Sequence, residues 1–294
     1  MPNLSQPQKR AVLGRRMSYL VLARKYRPQT FDDVVGQKHV TQTLTNAIKI
    51  DRISHAFLFT GTRGVGKTTA ARVLAKALNC VEGPTPIPCN KCANCLSITK
   101  GNSVDVFEID GASNTSVDDV RDLRENVRFM PQHSRYKIYI IDEVHMLSNS
   151  AFNALLKTLE EPPDHVVFIF ATTEQQKIPE TVLSRCQQYD FKMIPQKAIF
   201  DHMKGIVAKE DVDFEDAGLM LIARKAEGSM RDALSYLDQA ISFGGDKVGP
   251  DELREILGVV DRQLLLDLSQ GILSNDSDKT LTVVQRLSGV AWDV

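Results

Sequence analysis

No stretch of this chain carries about 18 consecutive apolar residues, so no membrane-spanning helix is expected. An excess of charge of one sign is also missing: 36 Lys and Arg stand against 37 Asp and Glu, a formal net charge of −1. A generally basic nucleic-acid binder is thereby excluded, and any contact with DNA must come from a local patch or from backbone amides at helix N-termini. The first 16 residues, MPNLSQPQKRAVLGRR, lack the apolar core of a secretory signal. They read as a disordered extension, or Met17 is the true start, and a cytoplasmic location with no membrane partner is expected. Internal repeats and low-complexity tracts are absent as well. What remains, 43% hydrophobic and 25% charged residues over 294 positions, is the composition of a globular protein with two or three domains.

Short apolar runs alternate with helical patterns through about residue 192. Strands are expected at 56–60 (AFLFT), 104–109, 137–141 (KIYII), 166–171 (VVFIFA) and 187–191, with helices at 37–50, 68–78, 117–129 and 150–160. That alternation predicts an α/β fold with a parallel sheet covered on both faces. From Pro195 onward the strand signals stop. A small all-α domain is expected over 195–258, then amphipathic helix over 259–294 that ends without a stop signal.

The segment Gly61, Thr62, Arg63, Gly64, Val65, Gly66, Lys67, Thr68 fits G-x-x-x-x-G-K-[ST], between a predicted strand and a predicted helix. The glycines let backbone N–H groups turn toward phosphate oxygens. Lys67 sets a positive charge on the β- and γ-phosphates, Thr68 offers a hydroxyl to Mg2+, and Thr69 continues the phosphate-facing helix start. The strand 137–141 delivers Asp142 and Glu143 at its C-terminal end, where ligands of parallel sheets bind. Asp142 is placed to hold Mg2+ through water and Glu143 to orient the attacking water of a phosphoryl transfer. Thr172 and Thr173, after strand 166–171, are weaker candidates for sensing a γ-phosphate. Arg185, in Ser184-Arg185-Cys186, is a candidate for stabilising transition-state charge. His145 is given no catalytic role, and Cys186 reads as a small buried side chain.

Four of the five cysteines fall in 16 residues, as Cys80-x8-Cys89-x2-Cys92-x2-Cys95. Four thiolates at this spacing suit tetrahedral zinc in a closed structural site. Free surface thiols and an iron–sulfur cluster stay open at this stage. The polar loop at 110–116 (DGASNTS) reads as a helix start that could also face DNA phosphates or a neighbouring subunit.

Five segments in order, LARKYRPQTFDDVVGQ, GTRGVGKT, the four cysteines, IIDEVHMLSNSAFNALLKTLEEPP and ATTEQQKIPETVLSRC, make the chain resemble the gamma/tau subunit family of the bacterial DNA polymerase III clamp loader. The resemblance runs from about Met17 to at least Leu237. It implies an AAA+ P-loop NTPase core at 17–194 with strand order 5-1-4-3-2 and a zinc-binding insertion at 79–96. A helical lid at 195–258 and the truncated start of a helical collar at 259–294 would follow. It implies ATP and Mg2+ as ligands, and as partners the delta and delta-prime subunits, further gamma/tau copies, the beta sliding clamp and primer–template DNA. Thr173 matches the family's first sensor, Arg185 the finger that reaches a neighbour's ATP, and Arg231 in the GSMRD segment the lid arginine at the γ-phosphate. The adenine would lie near Arg24, Arg27 and Val35. Two other functions compete: an AAA+ branch-migration helicase, which would lack the cysteine insertion and the SRC pattern, and a non-hydrolysing structural clamp-loader subunit, which would lack a working phosphate loop. No polymerase active site is expected in this chain.

Overall fold

In the computed structural model, residues 19–113, 123, 125–244, 247–248, 253, 257–258 and 262–289 are described. The expected N-terminal extension, the second half of the 110–116 loop and most of the 117–129 helix lie outside them.

Five parallel strands, β1 (Ala56–Thr60), β2 (Val106–Asp110), β3 (Lys137–Asp142), β4 (Val166–Thr172) and β5 (Gln187–Asp190), form one sheet in the order β2-β3-β4-β1-β5. This is the expected order read from the opposite edge. The period-2 alternation of the strands sorts their apolar side chains to two faces. Phe57, Phe59, Ile138, Ile140 and Ile169 pack with helices α2 (Lys38–Lys49) and α3 (Lys67–Asn79). Leu58, Tyr139, Ile141, Phe168 and Phe170 face the other way, toward α5 (Asn149–Glu160) and α6 (Glu180–Leu183). On that second face Phe107, Tyr139, Phe168 and Phe170 stack in series, with ring centroids 5.1, 5.5 and 5.8 Å apart. Each such ring contributes about 2–3 kcal/mol by leaving water, which is why the central strands read as unbroken apolar runs.

Helix α5 starts where Ser148 Oγ accepts the Ala151 N–H at 3.2 Å, and it stops before the Pro162-Pro163 pair. A short helix α1 (Leu22–Lys25) precedes the core, and α4 (Ala93–Lys100) follows the cysteine segment and packs on α3. The sequence reading assigned no helix there, because Pro, Asn and Cys mask the apolar spacing of Cys95 and Ile98.

Beyond Pro195 come α7 (Gln196–Glu210), α8 (Asp216–Lys225) and α9 (Met230–Gly244), with a separate core around Ile199, Met203, Leu219, Ile222 and Leu237. Leu22 and Ile194 join this second core. Two expectations are corrected. Strands do not stop at 195: β6 (Asp213–Phe214) and β7 (Lys247–Val248) make a two-residue parallel pair, too short to leave an alternating pattern. The last segment is not one helix but two, α10 (Arg262–Leu273) and α11 (Ser277–Gly289), packed on each other. Asn275, with φ +56°, turns the chain between them, and Asp276 accepts the Lys279 N–H at 3.0 Å.

Candidate nucleotide site and cysteine cluster

The parallel sheet brings the C-terminal ends of β1 and β3 to one edge, separated by β4. There the loop 61–66 turns into α3 through three left-handed glycines, Gly61 (φ +135°), Gly64 (φ +78°) and Gly66 (φ +105°). A Cβ at Gly61 would lie 2.2 Å from the Phe191 carbonyl, and one at Gly64 would lie 1.9 Å from Ser229 Oγ. The backbone at Phe191 leaves no room for a side chain at Gly61, and at Gly64 the left-handed φ strains any other residue while Ser229 would have to turn away. No side chain caps α3, so its first N–H groups stay available to an anion.

A cleft of about 510 Å3 opens over this turn. Arg63, Gly64, Val65, Gly66, Lys67, Thr68 and Thr69 line its floor, and Asp142 and Glu143 line one side. Thr68 Oγ1 donates to Asp142 Oδ2 at 2.6 Å, so a hydroxyl and a carboxylate meet as a pair of hard oxygen donors of the kind Mg2+ takes. Lys67 Nζ donates to the Gly61 and Thr62 carbonyls at 2.7 and 2.9 Å. Burial lowers its pKa, against the pull of Glu143 and Asp142. Gly61 and Thr62 thus touch the lysine without lining the cleft.

The opposite wall mixes the segment before the core with the lid. Arg24, Arg27 and Val35 line it, with Tyr26 and Val34, and so do Ile194, Met230, Arg231 and Leu234. Burial, then the nearby Arg72 guanidinium, lower the pKa of Arg27. The lid meets the phosphate loop directly: the N–H groups of Met230 and Arg231 point at the Gly64 carbonyl, at 3.1 and 3.4 Å. Gln37, fully buried, donates to the Lys192 carbonyl at 2.6 Å and accepts the Lys192 N–H at 3.1 Å, fixing the segment that leads from β5 to the lid. Sequence reasoning missed Tyr26, Ile194, Met230 and Leu234 as lining residues. Their only signal was apolar spacing, which reads equally well as core.

Thr173 does not line the cleft. Its Oγ1 and N–H donate to Glu143 Oε2 at 3.0 and 3.3 Å. Arg185 is remote from the cleft, donating to Glu160 Oε1 at 2.7 Å and to the Thr181 carbonyl. Cys186 beside it is half-buried rather than buried, and desolvation pushes its thiol up to about 12.

At the far end of α3, the Sγ atoms of Cys80, Cys89, Cys92 and Cys95 all lie within 4.8 Å of one another. A tetrahedron of thiolates about 2.3 Å from zinc has similar edges, and the four soft donors fit that ion. The N–H groups of Cys89, Cys92 and Cys95 point at the sulfurs of Cys80, Cys89 and Cys92 respectively, each at 3.4 Å. Against the desolvation that would raise it, such N–H bonds, from Val81 and Cys95, bring the Cys92 thiol down to about 6. Cys80 and Cys95 are buried, and all five cysteines are free of disulfides. Lys76, 2% exposed, adjoins the cluster: its Nζ donates to the Gln29 carbonyl (2.8 Å), Gln29 Oε1 (2.7 Å) and Asn90 Oδ1 (2.7 Å).

A glycine turn with a lysine and a threonine, a carboxylate pair one strand removed, and a helical lid bonded to that turn define a P-loop NTPase of the AAA+ class. Solved structures agree on the fold: the Thermotoga maritima RuvB Holliday junction branch migration motor superposes with a TM-score of 0.59 at 19% identity, over 84% of this chain and 79% of that one. Residues 36–195 match the model of the DNA polymerase III delta subunit family, and residues 198–246 that of the DNA polymerase III clamp loader subunit ATPase lid domain. The DNA polymerase III subunit gamma of Buchnera aphidicola (Acyrthosiphon pisum) is 46% identical over 94% of this chain and 77% of its own length. The tau subunits of Bacillus subtilis and Escherichia coli are 52% and 50% identical, over 92% and 94% of this chain. The chain spans 48% and 43% of those two relatives. It belongs to the gamma/tau subunit family of DNA polymerase III.

Proposed function

We propose that this chain is the ATP-binding and ATP-hydrolysing motor part of a bacterial DNA polymerase III clamp loader, acting in the cytoplasm. It would spend ATP to open a sliding clamp and load it on primed DNA. The observation that carries the reading is the 2.6 Å pairing of Thr68 with Asp142 in a cleft that also holds Lys67, Glu143 and Arg231. Mg2+ at Thr68 and Asp142 would neutralise charge on the β- and γ-phosphate oxygens.

The chain's own groups supply the rest. The amides at the start of α3 and the Lys67 ammonium hold the phosphates, once Lys67 leaves the two loop carbonyls it now bonds. Glu143 orients water and takes its proton, and Thr173, bonded to that carboxylate, reads the γ-phosphate. Arg231 meets the γ-phosphate from the lid, and the wall of Arg24, Arg27 and Val35 holds the adenine. Arg185 acts on a neighbouring subunit's ATP, in keeping with its distance from this chain's own cleft. Cys80, Cys89, Cys92 and Cys95 hold a structural zinc. The working units are the core at 17–194 with its insertion at 79–96, the lid at 195–258 and the start of a collar at 259–294. Partners are delta, delta-prime and further gamma/tau copies, the beta clamp and primer–template DNA.

The test is Mg2+-dependent ATP hydrolysis by the chain assembled with its partner subunits, with and without clamp and primed DNA. Stimulation by both is expected. Turnover indifferent to clamp would favour a branch-migration motor, and binding without turnover a structural subunit. Arg185→Ala should leave ATP affinity within about twofold while cutting turnover of the assembly by about 1000-fold.

A further inference from the structure

Glu143 follows the last residue of β3 with φ +45°, in the left-handed region that a residue with a Cβ rarely enters. Its side chain has therefore left the alternation of the strand, and its direction is set by what it bonds. Three contacts converge on one oxygen, Oε2: the Thr173 hydroxyl at 3.0 Å, the Thr173 N–H at 3.3 Å and His145 Nδ1 at 3.3 Å. The His145 side chain is only 7% exposed, and it also meets Thr172, the last residue of β4, and Glu174 just beyond it. Nδ1 is 3.0 Å from Thr172 Oγ1, and Nε2 is 3.3 Å from Glu174 Oε1. One buried ring thus spans the ends of two neighbouring strands and faces a carboxylate with each nitrogen.

We propose that His145 is a positioning residue for ATP hydrolysis, holding the Glu143 carboxylate toward the cleft and linking it to the Thr172–Glu174 segment. A neutral imidazole carries a single N–H. With the proton on Nδ1, the N–H is directed at Thr172 Oγ1, its hydrogen-bond partner at 3.0 Å, and presents the positive end of its dipole to Glu143 Oε2 at 3.3 Å, which steadies that carboxylate. With the proton on Nε2, the ring presents its N–H to Glu174 Oε1 and the Nδ1 lone pair to Glu143, and Nδ1 accepts the hydroxyl hydrogen of Thr172, whose own oxygen already accepts the Glu174 N–H at 3.0 Å. In that second state Glu143 keeps only its bonds to Thr173. Any ligand that displaces Thr173 or Glu174 would therefore also change the hold on Glu143. This inference rests on the hydrolytic role proposed for Glu143.

The test replaces His145 in the full chain and reads two quantities: affinity for a fluorescent, slowly hydrolysed ATP analogue on the chain alone, and kcat of Mg2+-dependent hydrolysis in the assembly. His145→Ala should lower kcat by about tenfold to hundredfold and leave nucleotide affinity within about twofold. His145→Asn, whose amide nitrogen can occupy the Nδ1 position, should recover most of the loss. His145→Gln, whose amide reaches the Nε2 position, should not. Unchanged kcat in His145→Ala overturns the proposal. Equal losses of affinity, thermal stability and kcat in all three variants overturn it too, since they mark a purely structural ring. Should His145→Ala fail to fold, His145→Phe, which fills the volume of the ring without its nitrogens, decides: the same drop in kcat of about tenfold to hundredfold is expected, and an unchanged kcat overturns the proposal. A wild-type assembly without ATP turnover would instead sink the hydrolytic reading itself.

Discussion

The two ends of α3 use the same helix for opposite chemistry. At Lys67 the chain enters the helix through left-handed glycines, leaves the first amides uncapped, and gathers a cation and two carboxylates around space for a phosphate. At Cys80 the chain leaves the helix into a knot whose four sulfurs point at one centre, with peptide N–H groups bonded to three of them. The positive end of the helix dipole meets the expected anion, and the negative end meets thiolates that need a cation to coexist. Under the proposed function one end would exchange its ligand with each turnover and the other would keep it. The first is lined by groups with spare bonding capacity, whereas the second is closed by all-protein donors. Lys76 stands between them: it bonds Gln29, next to the cleft-lining Pro28, and Asn90, inside the cysteine knot.

If the ends are as separate as their chemistry, changes at one should spare the other. Lys67→Ala should weaken Mg2+-ATP binding or turnover by about 100-fold or more, with zinc content unchanged at one ion per chain. Metal analysis beside a nucleotide titration checks both. Cys95→Ser should abolish stoichiometric zinc and cost about 2–4 kcal/mol of stability, read as a Tm lowered by several degrees, with nucleotide affinity changed by less than about threefold. Lys76→Met is the variant that should break the separation. It takes the lysine donor from three half-buried oxygens, of which Gln29 Oε1 keeps the Thr99 hydroxyl at 3.2 Å, so about 1–2 kcal/mol of stability should go. Nucleotide binding should weaken roughly fivefold, about 1 kcal/mol, through Gln29. An affinity equal to wild type would show that the lysine serves the cysteine end alone.

The control is Asp105, beside β2 and away from both ends. It is buried and accepts the N–H groups of Gln132, His133 and Ser134 at 2.7, 2.8 and 2.9 Å. Against the desolvation that would raise it, these bonds lower its pKa. A carboxylate depressed in the folded state contributes stability above its unfolded pKa of about 3.9 and loses it as pH falls through the lower folded value. Asp105→Asn should therefore cost about 2 kcal/mol near pH 7 and flatten the acid limb of the stability curve below about pH 4. Nucleotide affinity and zinc content should both stay at wild-type values.

Much of this was legible in the chain. Three apolar runs announced the central strands, and the glycine–lysine–threonine spacing announced the phosphate turn, because both are local patterns with a single physical reading. The cysteine spacing was equally plain, although helix α4, which carries Cys95, was not: proline and asparagine obscure its start. The lining role of Ile194, Met230 and Leu234 was invisible, since an apolar residue facing a cleft and one facing a core have the same spacing. His145 was passed over for the same kind of reason. Nothing local distinguishes a histidine that bridges two carboxylates from one that is merely packed.

Sequence alone determined the five strands of the main sheet, the phosphate turn, the position of the acidic pair and the four-thiol set, all of which are written in local patterns. Tertiary structure decided which side chains meet: Thr68 with Asp142 across 74 positions, the lid amides with Gly64, and Thr173 and His145 with Glu143. The physical reason is that a parallel sheet aligns the ends of strands far apart in the chain. A hydrogen bond depends on the ångström placement of both partners, and only the packed sheet fixes that.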